Sequence, residues 1–186
     1  MGVPARPQIP GFSPETELER RLAQDPILLE GWAWGSPRRG HPEGSVGAHV
    51  GDLLHTIEAW GEFGPRRSEL RFLALIHDSL KFQVRDDVPK SDQNHHAARA
   101  RAFAAGFTGD ERLLSTIEQH DCPYELWRKL RRRGTLDEPA FSKMLEHVTD
   151  QDLFLRFVEL DGSTEGKNPE PVTWFRGELE RRRGAG

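Results

Sequence analysis

Apolar residues recur along this chain at steps of three and four for nearly its whole length, a spacing that predicts helices and little else. Over Ser45 to Trp60 the stripe is Val46, Val50, Leu53, Leu54 and Ile57. From Glu69 to Leu80, Leu70, Phe72, Leu73, Leu75 and Ile76 are too dense for a surface helix and predict a buried one. Pro14 to Leu29 reads as one helix, with Ser13 as its cap, Pro14 at the first helical position and Glu15 and Glu17 in the first turn. Downstream come an alanine-rich segment, Gln93 to Phe107, and Asp110 to His120 with Leu113, Leu114 and Ile117 inward. Pro123 to Arg133, Pro139 to Val148, Asp150 to Leu160 and Pro171 to Arg183 complete the series. Val84 to Val88 alternates poorly and Pro89 ends it, so strand signals are weak. The expectation is an all-α, compact single-domain bundle of about eight helices over residues 15–180. A flexible Pro/Gly-rich N-terminus (1–14) and a flexible tail (181–186) flank it.

A length of 186 residues suits one domain with one core. The net charge of −4 provides no global field for nucleic acid. The basic runs Arg128-Lys129-Leu130-Arg131-Arg132-Arg133 and Arg181-Arg182-Arg183 read as solvated helix faces, so no specific nucleic-acid binding is expected. The one cysteine, Cys122, cannot form an internal disulfide and excludes a thiolate zinc cage within this chain. No signal-peptide pattern or membrane-spanning apolar run is present, so a cytoplasmic location with no membrane partner is expected.

Histidine placement changes the picture. His49 shares the stripe of Val46 and Leu53 and so points inward. His77 and Asp78 end the most apolar segment, His95 and His96 open the alanine-rich one, His120 closes the next, and Asp161 ends Phe154 to Leu160. A buried imidazole or carboxylate costs several kcal/mol unless it is paired or binds a metal. Five helices each bringing such a group inward therefore point to a shared cation, as in metal sites built between facing helices. Imidazole with carboxylate suits Mn, Fe, Co, Ni or Zn, with Mg also possible.

The order His49, His77-Asp78, His95 or His96, His120, Asp161 resembles that of the HD domain superfamily of metal-dependent phosphohydrolases, over roughly Ser45 to Asp161. The adjacent His77-Asp78 pair followed by Lys81 carries the resemblance, and the two additional histidines match its two-metal version. The resemblance implies an HD-type helical domain in which His49, His77, Asp78 and Asp161 hold one metal. His120 and His96, with His95 as the alternative, hold a second, and Asp78 bridges the two; Ala100, four residues after His96, favours that histidine. It further implies hydrolysis of a nucleotide or other small phosphate ester or anhydride by a metal-activated hydroxide. Asp78 and Lys81 are then the catalytic candidates, and Lys81, Arg85, Arg99 and Lys167 the candidates for phosphate contact. The Gly-Tyr-Pro segment of the cyclic-di-GMP-degrading branch is missing, so that activity is not expected.

Two alternatives stay open. The same ligand order resembles that of myo-inositol oxygenase and its phosphonate-cleaving relatives, mixed-valent di-iron oxygenases on the HD scaffold. A non-catalytic nucleotide-binding HD module is the other. Among the remaining residues, His41 in a Pro/Gly loop and His55 and His147 on exposed faces are read as non-ligands, and Asp52 as a solvated acid. Asp121 reads as a partner of a ligand or a helix end. Trp32 and Trp34 precede the first ligand helix and are candidates to stack on a base or sugar, although tryptophans, Trp60, Trp127 and Trp174 included, are more often core. Cys122 reads as a small buried hydrophobe.

Overall fold

The computed structural model describes residues 9–38, 41–89 and 94–184. These form ten α-helices and no strand: α1 (Glu17–Leu22), α2 (Pro26–Ala33), α3 (Val46–Ala59), α4 (Gly64–Ile76), α5 (His96–Ala104), α6 (Glu111–Gln119), α7 (Cys122–Arg133), α8 (Glu138–His147), α9 (Gln151–Gly162) and α10 (Glu170–Gly184). A 3₁₀ turn, Lys81–Gln83, follows α4. The chain is an all-α domain. Among the described residues no helix is long and apolar enough to cross a membrane.

The segment read as one helix, Pro14 to Leu29, is two. Pro26 has no N–H with which to continue α1, and the Asp25 side chain accepts from the N–H groups of Ile27 and Leu28 at 2.9 and 3.3 Å, starting α2 afresh. Thr16, not Ser13, caps α1 by accepting from the Glu19 N–H at 3.1 Å. Helix α4 begins five residues before Glu69 and ends at Ile76, so His77 to Leu80 lie in turns and not on helix. Ile9 is buried in the core, and α10 continues through Arg181 to Gly184; residues 1–8 and 185–186 lie outside the described part.

The apolar side chains divide between two clusters. The larger gathers α2, α3, α4, α5 and α6 around Leu53, Leu70, Leu73, Leu75 and Ile117. The smaller joins α7, α8 and α10 through Leu126, Phe141, Met144, Phe175 and Leu179. Helix α9 belongs to both: Leu153, Phe157 and Leu160 face the larger cluster, and Phe154 and Val158 the smaller. One helix with two apolar faces thus ties the halves together.

Helix α2 fixes the turn after α4. The Trp32 indole N–H donates to the Leu75 carbonyl at 2.9 Å, and the Ser79 hydroxyl donates to the same oxygen at 2.7 Å. Gly31 sits so close to this turn that a Cβ there would lie 1.9 Å from the Ser79 carbonyl oxygen. Trp32 is therefore a buried structural residue, 2% exposed, and not a platform for a base.

Candidate metal centre

The ends of α4, α6 and α9 and the starts of α3 and α5 converge on one point. His49 reaches it from α3, where Ser45 caps the helix by accepting from the Ala48 N–H at 3.1 Å. His49 Nε2 donates to Asp161 Oδ1 at 2.9 Å across 112 residues of sequence. His77 Nε2 lies 3.5 Å from Asp78 Oδ2 and 3.6 Å from Asp161 Oδ1. On the other side of Asp78, its Oδ1 lies 3.3 Å from His96 Nε2 and 3.4 Å from His120 Nε2. These two imidazole nitrogens are 3.4 Å apart. His49, His77 and Asp78 form one group with ligand-type atoms mutually within 4.8 Å, and Asp78, His96 and His120 another, with Asp78 common to both.

The backbone sets the tautomers. His120 Nδ1 stands 2.7 Å from the Ile117 carbonyl, and His77 Nδ1 3.2 Å from the carbonyls of Leu73 and Ala74. A carbonyl only accepts, so in the neutral rings each Nδ1 carries the hydrogen and each Nε2 presents a lone pair. Those lone pairs face the cluster interior. His77 Nε2 and Asp78 Oδ1 are buried with no hydrogen-bond partner among the described residues. A buried acceptor left unsatisfied beside other acceptors is expensive by itself and is relieved by a cation. The donor set, imidazole nitrogens and carboxylate oxygens on several helices, fits a divalent first-row transition ion. This cluster of His and Asp groups is able to hold a metal.

Without a cation, the carboxylates favour protonated imidazoles at His96 and His120 instead. Burial alone would raise the Asp78 carboxyl, but Lys81 and the imidazoles of His77, His120 and His96 hold it well below the usual carboxylate range. Asp161 is likewise raised by burial and brought well below that range by Lys167, His49 and His77. Burial pushes His77 down despite Asp78, keeping it neutral. His120 is pushed down by burial too, yet Asp121, Asp78 and Asp161 outweigh this and lift it to about 9. Asp121 and Asp78 raise His96 against its burial in the same way.

Of the two candidate histidines at the start of α5, His96 is the one beside Asp78 and His120. His95 caps the helix, its Nδ1 accepting from the Ala97 N–H at 3.3 Å, and its ring stacks on His96 with centroids 4.8 Å apart. Lys81 Nζ lies 2.5 Å from Asp78 Oδ2, and Lys167 Nζ lies 2.7 Å from Asp161 Oδ1. Arg85 turns away: it pairs with Asp87 at 2.6 Å and its side chain is 65% exposed. Neither Arg85 nor Arg99 lines the cleft at the cluster.

Sequence reasoning missed two residues here and left a third open. His41, read as a loop non-ligand, donates from Nδ1 to Glu43 at 3.0 Å and sets its ring 6.1 Å from that of His49. Glu43, not singled out at all, lies 3.5 Å from His49 Nδ1 with its side chain 9% exposed. Both belong to the loop between α2 and α3, where no periodicity marks an inward residue. Asp121 places Oδ2 3.1 Å from His96 Nε2, as a partner of a cluster histidine. Its signal was its position next to His120.

A cleft of about 630 Å³ opens from the cluster. Its inner end is formed by His41, Asp78, Lys81, His120, Asp161 and Lys167, and it extends between α7 and α10. No protein-family model matches the chain, and no match to it is found among curated proteins or solved structures.

Proposed function

We propose that this protein is a metal-dependent hydrolase of small phosphate esters or anhydrides, an HD-type enzyme with a two-ion site. The observation that carries the reading is Asp78, a buried carboxylate flanked by imidazoles on both sides and shared between two potential ligand groups. In this reading His49, His77, Asp78 and Asp161 hold one ion, and Asp78, His96 and His120 the other. Such ions supply Lewis acidity and bring the pKa of a coordinated water toward neutrality.

The chain's own residues do the rest. The carbonyls of Leu73, Ala74 and Ile117 keep the ligand lone pairs of His77 and His120 aimed inward. Lys81 and Lys167 hold Asp78 and Asp161 ionised and stand on the cleft wall, where their ammonium groups meet an entering phosphate. Glu43 orients His49 from behind, at Nδ1, whereas Asp121 stands at the inward-facing Nε2 of His96, beside Asp78. The burial of the cluster excludes bulk water and strengthens each of these interactions.

Metal analysis of protein purified without added metal, followed by a phosphatase screen with Mn, Co, Ni and Mg, tests the proposal. Metal at two equivalents and phosphate release that Asp78→Ala abolishes are expected. Full activity in that variant overturns the mechanism. Iron with oxygen uptake and no phosphate release replaces it by oxygenase chemistry.

A further inference from the structure

We infer that the outer face of α7 is a docking surface for the phosphate backbone of a nucleic-acid strand, held without regard to sequence and apart from the metal cluster. The surface consists of Arg128, Lys129, Arg131, Arg132 and Arg133. It is independent of what the cluster hydrolyses.

Helix α7 buries Pro123 and Leu126 and turns its basic residues outward; the four arginines are exposed and Lys129 is half-buried. The chain as a whole carries −4, yet these five cations fall within the six residues from 128 to 133. None of them pairs with a carboxylate among the described residues, whereas every arginine of the second basic run does. Arg181 pairs with Glu178 at 2.5 Å, Arg182 with Glu138 at 2.6 Å and Arg183 with Asp152 at 2.8 Å. The two carboxylates that follow α7 in sequence are engaged elsewhere. Glu138 is held by Arg182, and Asp137 caps α8 by accepting from the Ala140 N–H at 3.3 Å. The positive charge of α7 is therefore left over by the local packing.

Cations in the last turn of a helix offset its dipole, and Arg131, Arg132 and Arg133 stand there. That role covers neither Arg128 nor Lys129, which precede the last turn. Arg128 faces Arg131 and Arg132 at three and four residues' distance, and Lys129 faces Arg132 and Arg133 in the same way. Like charges so spaced on a helix repel, and a bound polyanion relieves them. Three features choose the anion. Five cations over on the order of 8 Å of helix axis exceed the need of one phosphate, whereas a strand passes two or three phosphates over that length, at about 3.4 Å each. Four of the five are arginines, whose planar fork meets a phosphate with two hydrogen bonds. The face also has no apolar centre, since Tyr124 is the one large hydrophobic residue exposed on α7. A membrane-surface helix needs an apolar face to insert, and a protein interface needs a weakly charged core; α7 spends its apolar face on the smaller cluster.

The experiment titrates a fluorescein-labelled, mixed-sequence single-stranded DNA with the full-length protein and follows anisotropy between about 50 and 200 mM salt. Wild type is expected to bind with a Kd on the order of 10 μM at physiological salt, and log K should fall against log salt with a slope of about −2, as for three phosphates neutralised. The double variant Arg128→Gln, Arg132→Gln should weaken binding about tenfold and make the slope shallower by about one. The double variant Arg181→Gln, Arg183→Gln removes the same charge from paired positions and should change binding by less than about twofold, because charges beyond a Debye length are screened. Asp78→Ala with an unchanged circular dichroism spectrum should bind as wild type does. No binding by wild type, or equal weakening by the two double variants, overturns the surface. Loss of binding in a folded Asp78→Ala places the strand at the metal cluster and overturns it too. Polyglutamate or phosphatidylserine vesicles bound as tightly as the DNA replace the nucleic acid by that partner.

Discussion

The two sides of Asp78 are built differently. His49, His77 and Asp161 come from α3, α4 and α9, helices that share the larger apolar cluster, and they meet across 112 residues of sequence. His77 is fully buried, and its ring packs edge-on against Phe157 at 5.2 Å. His96, His120 and Asp121 come from one stretch of 26 residues (96 to 121); His120 is as buried as His49, but this side reaches the surface of the domain at Asp121, 36% exposed. One side is thus part of the core, and its geometry is inseparable from folding. The other is a local arrangement of adjacent helix ends. In the proposed reading, His77 on the core side serves stability and chemistry together; on the second, edge side, His96 at the start of α5 serves chemistry with less structural duty.

The largest effect should come from the residue that belongs to both sides. Asp78→Ala removes the shared carboxylate and is expected to abolish metal uptake on both, read as metal per protein by elemental analysis. Next, His77→Ala and His96→Ala should part company in urea unfolding. The first opens a cavity in the core and is expected to cost about 2 kcal/mol or more, whereas the second should cost less than about 1 kcal/mol. His96→Ala should nonetheless lower the metal content from two equivalents to one. Equal destabilisation by the two variants would erase the distinction.

The edge side should also show the stronger pH dependence. The carboxylates around His120 hold its folded pKa at about 9, above the ordinary 6.5. A raised folded value stabilises the protonated protein: the contribution is complete below about pH 6.5 and is lost as pH rises through about 9. The protein stripped of metal should therefore lose stability over that window, and His120→Gln should flatten the slope. Ligation requires the deprotonated nitrogen, so metal affinity should rise over the same window, as a competition titration at fixed ionic strength will show. The smallest effect is expected from Arg85→Ala. Its side chain faces solvent with Asp87, and both stability, within about 0.5 kcal/mol, and KM for a phosphate ester should stay as in wild type.

The same contrast explains what could be read in the sequence. Helices that bury one face repeat apolar residues, and a polar residue interrupting that repeat stands out. His49 among Val46 and Leu53, and His77-Asp78 after Leu75 and Ile76, were visible for that reason. Glu43 and His41 were not, because a loop folds inward through contacts such as the paired Arg38 and His41 backbones, which leave no periodic trace. The break between α1 and α2 was overlooked although Asp25-Pro26 carries a helix-starting signal. The apolar stripe continues across it, and periodicity outweighed the local stop. Trp127 was read as core because sequence cannot tell a buried helix face from one that lines a cleft.

Gly31 leaves no room between α2 and the turn that delivers His77, Asp78 and Lys81. Even the smallest side chain would have to push a backbone carbonyl aside, and that carbonyl is joined to residues of the candidate metal cluster. Saturation mutagenesis scored for phosphate release should consequently return glycine alone at codon 31. A position some distance along the chain from every residue of the cluster would thereby tolerate less change than many residues that line the cleft.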